Sequence, residues 1–413
     1  MQKGKFTKRT SCRLCRSKDL VEILDLGEMP LAGAYLKKGQ LGKEKVYPLK
    51  IFFCKECFLV QILDVVDPDT LFKDYRYLSS LSLSSHFSNL ARELTKKFLA
   101  KDSFIVEIGS NDGVLLSPLK SLGMRVLGVD PAENVAKIAQ TKGIDTMVNY
   151  FGKAVGRAVA GTYGKADAIL ANNVLAHIDD MHDVALGMKT LLKRNGIFVF
   201  EVHYLGDLVQ KGQYDFFYNE HLSYYSLISL IPFLDKYEFE IFDVKRIPIH
   251  SGSIRVYAKN KGENRYKVSQ NVNQLISYER ETKLDKIQTY LEFAKKVKNH
   301  KAKLKNLIFS LQRNGKRIVG YGAAGRGNTL MNFCNLDSNM IEYIVDESPE
   351  RYGRFTPGTH VPIVEPQVFR NSFPDHVLIF AWSYKNRIFE KEKEYTNNGG
   401  KFIIPLPQIR IVP

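Results

Sequence analysis

Long hydrophobic runs are missing from this 413-residue chain. No 18 consecutive apolar residues occur, which excludes an ordinary membrane-spanning helix. The charged start, Met1 to Lys5, has no apolar stretch behind it, so no secretory signal and a cytoplasmic location are expected. Low-complexity and collagen-like segments are missing as well. A content of 44% apolar, 25% charged and 11% aromatic residues is that of a globular protein with two or three domains. Acidic residues are the minority charge, 44 against 60 basic, for a net +16. Such an excess suits nucleic acid, a membrane surface or an anionic small molecule. Residues 259–316 hold fifteen basic and five acidic residues among spaced apolar ones such as Leu284, Ile287, Leu291, Val297, Leu304 and Ile308. This reads as one or two amphipathic helices with a solvated basic face. No recognised nucleic-acid module accompanies the charge. Neither nucleic acid nor membrane is expected as a partner, and without a long apolar seam a monomer is expected.

Cysteine is scarce, with five residues, yet four of them form two matched pairs, Cys12-Arg-Leu-Cys15 and Cys54-Lys-Glu-Cys57. Two thiolates at C-x-x-C spacing bind one tetrahedral ion from a tight turn, and a second such turn completes a closed four-cysteine zinc site. The alternatives are a redox motif or two disulfides. A redox motif needs no matching second pair, and a cytoplasmic setting disfavours disulfides. Cys334 reads as a small buried apolar residue.

From about residue 85 strands and helices alternate. The pattern predicts a helix over 85–100, then a strand at Phe104–Ile108, a turn Gly109-Ser-Asn111-Asp112-Gly113 and a helix from Val114. Glycines at such a turn let backbone approach a ligand at a helix N-terminus. A second strand, Arg125–Asp130, ends in an acid able to accept hydrogen bonds from a ribose diol. Ala168–Ala171 and Gly196–Glu201 are further strands, the former leading into Asn172-Asn173-Val-Leu-Ala-His177. After the latter, two aromatic clusters flank Tyr218-Asn-Glu220-His221, just past a strand end, where α/β sheets bind ligands. A core segment in which Glu220 and His221 satisfy each other is the plainer reading. Toward the C-terminus, Gly320-Tyr321-Gly322-Ala323-Ala-Gly325-Arg326-Gly-Asn328 is a formal G-x-G-x-x-G, with Asp346 closing another strand 21 residues after Gly325. Alone this fits a dinucleotide site, although its N–H groups and Arg326 favour any anion, including a sugar-nucleotide pyrophosphate.

Glu107-x-Gly109-x-x-x-Gly113, an acid at the next strand end and a third strand with a polar tip form the signature of S-adenosylmethionine (SAM)-dependent methyltransferases. "VEIGSNDGVLL", "GVDPAENVA" and "ANNVLAHIDD" together resemble the three-domain sugar C-methyltransferases of deoxysugar biosynthesis. The resemblance implies an α/β fold: a four-cysteine zinc domain (1–70), a class I SAM domain with a Rossmann-like sheet (71–258), a helical linker (259–315) and a C-terminal Rossmann-like substrate domain (316–413). It implies SAM at Glu107, Gly109, Asn111, Asp112, Gly113, Asp130, Pro131, Asn172, Asn173 and His177, and zinc at Cys12, Cys15, Cys54 and Cys57. It makes His221 the catalytic base, with Glu220 and Tyr218 beside it, acting on carbon 3 of a nucleotide-linked 4-keto-6-deoxy sugar.

Substrate contacts are expected from Tyr75, Tyr77, Ser80, Tyr224, His250, Arg255, Tyr321, Ala323, Gly325, Arg326 and Asn328. At 250–255 the family pattern H-G-G-S-x-R has Ser251 in place of a glycine. His203, after a strand end, can face the cofactor or simply pack. An NAD-dependent sugar-nucleotide enzyme using the C-terminal loop is the rival reading, and a non-catalytic zinc scaffold a third.

Overall fold

The computed structural model describes residues 2–75 and 78–413. Six strands open the chain: β1 (Gln2–Lys3), β2 (Phe6–Lys8), β3 (Leu20–Pro30), β4 (Lys45–Cys54), β5 (Val60–Ile62) and β6 (Asp64–Val66). The long β3–β4 pair is antiparallel, running from Leu20 opposite Cys54 to Pro30 opposite Val46. Leu49, Ile51 and Phe53 alternate inward along β4, the period-two pattern of a strand with one buried face. The cysteine pairs sit in two equivalent turns. In each, the residue after the second cysteine closes back on the first: Arg16 N–H donates to the Cys12 carbonyl and Phe58 N–H to that of Cys54. The four sulfurs lie within 4.8 Å of one another, with Cys12–Cys57 at 3.4 Å and Cys15–Cys54 at 3.5 Å. Tetrahedral zinc with bonds of about 2.3 Å places its sulfurs roughly 3.8 Å apart, so the cluster fits that ion.

The central body holds β7 (Phe104–Ile108), β8 (Arg125–Asp130), β9 (Thr146–Val148), β10 (Ala166–Asn172), β11 (Leu192–His203), β12 (Ser223–Tyr224), β13 (Phe239–Ile247) and β14 (Ser253–Asn260). Its sheet order is β13-β14-β11-β10-β7-β8-β9, with β14 antiparallel to both its neighbours and the remaining pairs parallel. Alternation sorts the strand side chains into two cores. Ile105, Ala168, Leu170, Ile197 and Val199 meet the helix Ser80–Lys97, which begins five residues before its predicted start. Val106, Ile108, Ile169, Ala171, Phe198 and Phe200 meet the helices on the opposite face. The short β12 leaves this sheet and pairs antiparallel with β5 of the N-terminal sheet.

The C-terminal body comprises β15 (Ile318–Tyr321), β16 (Ile344–Val345), β17 (Ile363–Val364), β18 (His376–Ile379), β19 (Lys401–Ile404) and β20 (Arg410–Val412), ordered β17-β16-β15-β18-β19-β20. All pairs are parallel except β19–β20. This is a doubly wound sheet whose order reverses between β15 and β18, where such folds bind ligands. The basic stretch forms two helices. Gln270–Glu281 packs on β13, and Ile287–Arg313 spans β3, β15 and the helix Gly325–Cys334. Among the described residues no helix is long and apolar enough to cross a membrane.

Cys12, Cys54 and Cys57 belong to the same buried cluster as the central sheet, so the metal turns support more than their own domain. Metal analysis of the purified protein is expected to find one zinc per chain, and its chelation to lower the unfolding temperature by more than about 10 °C. An unchanged transition in metal-free protein would contradict the four-cysteine site.

Candidate active site

Three turns meet at the carboxyl ends of β7, β8 and β10. Gly109 and Gly113 take φ of +67° and +74°. A Cβ at Gly109 would lie 2.7 Å from Val174, so that position needs glycine on both counts. Asn111, φ +50°, sits between them. Asp130 organises the turns: one carboxylate oxygen accepts from Asn111 N–H (2.8 Å), the other from Ala132 N–H (2.9 Å) across Pro131. Each oxygen retains acceptor capacity for a ligand hydroxyl. Glu107 accepts from the Asn172 amide at 3.1 Å, and burial, with Asp130 and Glu201 nearby, pushes its carboxyl up to about 8. Asn173 is left-handed at φ +56°. Glu107 Oε2, Ser110 Oγ, Asp112 Oδ1 and Asn172 Oδ1 are buried without a partner. Orphaned buried polar atoms are costly and rare, so four around one glycine turn fit a polar ligand such as SAM. The other Asp112 oxygen is held by Lys142 (3.1 Å).

The stretch before the first long helix lies against this loop. The Asn134 side chain bonds both the N–H and the carbonyl of Tyr75 (3.2 and 2.8 Å), and Ser79 N–H donates to Asn111 Oδ1 (3.0 Å). Ser80 opens the helix, its carbonyl accepting from Ser84 Oγ. Tyr77 lies outside the described residues.

The Tyr218–His221 segment packs against His177, at the end of the third turn. His221 N–H closes a turn on the Tyr218 carbonyl (2.9 Å), which brings the Tyr218 hydroxyl to 2.7 Å from His221 Nε2. The imidazole partner is therefore tyrosine. Glu220 does not take that place, since His221 Nδ1 is buried with no partner. Glu220 instead gives its carbonyl to His177 Nδ1–H (2.9 Å). The His177 and His221 rings meet edge to face at 4.7 Å, and Phe72 links His177 to Tyr75. Burial, then the nearby His177, His203 and His250, holds His221 well below the usual histidine range. Burial also lowers His177, and takes His203 to about 3 and His250 to about 4. Burial pushes the Glu220 carboxyl up to about 7.

Arg326, from the third body, is buried beside Asp215 and near Tyr218. Its guanidinium lies between the Phe216 ring (4.9 Å) and the Trp382 ring (4.7 Å), bonds Ser383 Oγ and sits 3.9 Å from Asp215. Phe216 in turn stacks on His203 at 4.0 Å, and Trp382 Nε1–H donates to Asp215 (2.8 Å). Arg326 stands in the first turn of the Gly325–Cys334 helix, whose free N–H groups favour anions.

Other expected contacts are placed differently. Tyr321 turns its hydroxyl to Glu392 (2.9 Å), inside the third body. Arg255 is buried in ion pairs with Glu201 (2.7 Å) and Glu93 (3.0 Å), and His86 also bonds Glu201. Tyr224 is buried, donating to the Phe216 carbonyl (3.2 Å). His250 and Ser251 are left-handed, φ +51° and +66°, so β14 begins only at Ser253.

The dinucleotide-like loop is already engaged. Asp346 accepts from Ala323 N–H (2.7 Å), Ser348 N–H (2.8 Å) and Arg351 (3.2 Å). The N-terminal domain covers the rest: Tyr35 donates to the Ala323 carbonyl, and Asn328 Nδ2 donates to the Ala32 carbonyl (2.6 Å). Sequence reading missed Ala32–Tyr35, Asp215 and Phe216. The small-residue run Leu-Ala-Gly-Ala between two strands was the available signal for the first.

Three family models tile the chain: "Putative zinc binding domain" over 12–72, "Methyltransferase domain" over 83–244 and "C-methyltransferase C-terminal domain" over 248–407. The C-methyltransferase NovU of Streptomyces niveus is 34% identical over 405 residues, covering 97% of this chain and 96% of that protein. A ubiquinone biosynthesis O-methyltransferase of Methylobacterium nodulans is 31% identical over 96 residues, 23% of this chain and 38% of that one. Among solved structures, magnesium protoporphyrin IX methyltransferase from Synechocystis with bound S-adenosylhomocysteine is 16% identical at a TM-score of 0.35, covering 44% of this chain and 84% of that one.

Glu220 generates a pH prediction. The folded carboxyl holds its proton up to about 7 against an ordinary 4.5, so its burial weighs on the fold only once pH rises through that window. Glu220→Gln is expected to stabilise the protein at pH 8 by roughly 1–3 kcal/mol, discounted for the surface the residue keeps at the cleft, and by little at pH 5. Denaturant unfolding at the two pH values checks this; equal effects at both would contradict it.

Proposed function

Because the chain belongs, over nearly its whole length, to the SAM-dependent C-methyltransferases that include NovU, we propose that it methylates carbon 3 of a nucleotide-linked 4-keto-6-deoxy sugar. The observation that carries this reading is the hydrogen-bonded Tyr218–His221 pair, set between the glycine turn of the central sheet and the buried Arg326. A sugar carbon becomes nucleophilic only when a neighbouring ketone acidifies its C–H. The site therefore needs a base, a donor for the enolate oxygen and an anchor for the phosphates.

His221, kept neutral by burial, accepts the carbon-bound proton at Nε2, the nitrogen that Tyr218 otherwise occupies. Tyr218, displaced from Nε2, donates to the oxygen that gains charge. Glu220, with its pKa near neutrality, offsets the imidazolium or binds a sugar hydroxyl. Glu107, Gly109, Asn111, Asp112, Gly113, Asp130, Pro131, Asn172, Asn173 and His177 would hold SAM. When bound, SAM supplies a methyl group made electrophilic by its sulfonium. Arg326 takes the pyrophosphate, and Tyr75, Ser80 and His250 line the sugar side. The unpaired thiols suit a reducing cytoplasm. An NAD site at the C-terminal loop is disfavoured by Asp346, whose oxygens serve its own turn.

The test uses thymidine-, uridine- and guanosine-diphosphate-linked 4-keto-6-deoxy sugars in deuterated water, with and without SAM. Wild-type protein is expected to wash out one proton beside the ketone and, with SAM, to place a methyl on that carbon. His221→Asn is expected to keep SAM affinity within about threefold and lose roughly 10²–10⁴ in both rates. Full proton exchange by that variant would remove His221 as the base. SAM binding with no sugar methylated would overturn the substrate reading.

A further inference from the structure

The two metal turns differ in what lies between their cysteines. Lys55 and Glu56 of the second turn are exposed, as expected for charged residues in a surface knuckle. Arg13, at the matching place in the first turn, is 0% exposed. A wholly buried guanidinium is exceptional unless its donors have fixed work.

The partners of Nε and Nη1 show that work, while Nη2 is buried without one. Nε–H donates to Asp179 Oδ1 at 3.0 Å. Nη1–H donates to the Leu222 carbonyl at 3.0 Å and to Gln61 Oε1 at 3.3 Å, and the Arg13 backbone N–H donates to the same Gln61 oxygen at 3.1 Å. Asp179 lies two residues past His177, and Leu222 immediately follows His221. The two loops are also tied to each other. Leu222 N–H donates to the Ala176 carbonyl (2.7 Å), and His177 Nδ1–H to the Glu220 carbonyl. The Leu222 carbonyl takes a second bond from Ile62 N–H on β5 (3.0 Å). One side chain, rooted between Cys12 and Cys15 of the four-cysteine cluster, thus grips both backbone segments that carry the paired histidines.

We propose that Arg13 is a positioning residue through which the zinc turn sets the relative placement of His177 and His221. Zinc at the four cysteines would bear on catalysis only by holding this turn in place. A displacement of about 1 Å in a catalytic group costs on the order of 100-fold in rate, so loss of this grip is read chiefly in turnover, with a much smaller effect on SAM affinity through His177. The catalytic meaning rests on the His221 reading above; the structural coupling does not.

The experiment compares wild type with Arg13→Met, which keeps most of the apolar stem and removes every donor, and with Arg13→Lys. Zinc content, SAM affinity by calorimetry and ring resonances of ¹⁵N-histidine-labelled protein are measured on the zinc-loaded full chain. Arg13→Met is expected to hold one zinc, to bind SAM within about threefold of wild type and to shift the His177 and His221 ring signals. Those of the distant His300 and His360 stay in place. On any sugar nucleotide that wild type methylates, kcat falls roughly 30- to 100-fold with KM within about threefold, and Arg13→Lys recovers part of it. Zinc-loaded Arg13→Met with unmoved His177 and His221 signals, or with wild-type kcat, overturns the proposal. If Arg13→Met fails to fold or to hold zinc, Asp179→Ala decides: it removes the acceptor shared by Arg13 Nε–H and Arg9 without touching a metal turn, and an unmoved His221 signal, 42 residues away in sequence, overturns the coupling. Shifted rings with no sugar methylated by wild type would leave the coupling standing and sink the substrate reading.

Discussion

The segment from Gln213 to Tyr225 cannot be satisfied by any single domain, and the active cleft depends on that. Its polar groups are bonded outward in several directions. Asp215 is bonded by Trp382 of the third body, and Asn219 Nδ2 donates to the Pro48 carbonyl of the first. Leu222 bonds Ile62 of the first and Ala176 of the second, and Ser223–Tyr224 completes an edge of the zinc sheet. Each such group left buried and unpaired costs about 1–3 kcal/mol. The Tyr218–His221 pair is therefore ordered only when all three bodies are docked, and the shared cores across the boundaries supply the docking.

The charge state of the cleft follows from the same enclosure. Four histidines are held neutral and Glu107 stays protonated near neutral pH. Arg326 is the cation facing this group, and its partner Asp215 is itself resisted by burial. In so low a dielectric each remaining hydrogen bond is strengthened. A neutral imidazole beside an anchored cation is the environment that the proposed enolate chemistry on an anionic substrate would require. The +16 of the whole chain is a poorer guide, because much of it lies on exposed residues such as Lys295, Lys296 and Lys298 of the long helix.

Local chemistry was legible in the sequence. The doubled C-x-x-C, the glycine turn after Ile108 and the acid at Asp130 each depend on residues within a few positions of one another, and short apolar runs with β-branched residues marked the strands. Long-range partners were not. Arg13 reads as an exposed residue, like Lys55, until its neighbours across two domains are known. β12 is too short to show a period. Asp346 looked like a ribose acceptor, but its partners lie in its own turn, in the Ala323 loop and on Arg351. Arg255 matched a substrate pattern, yet Glu201 and Glu93 lie where it points. In each case motif reading gave the residue's position and left open which charge stands opposite.

In the proposed function the turn after β7 holds SAM, while the C-terminal glycine loop is covered by the chain's own Ala32–Tyr35. Calorimetric titration of the zinc-loaded protein with SAM and, separately, with NAD tests this most directly. One equivalent of SAM bound, with no heat from NAD, is the predicted result. NAD binding without SAM binding would contradict it, moving the active site to the C-terminal loop and leaving Tyr218, Glu220 and His221 as packing residues.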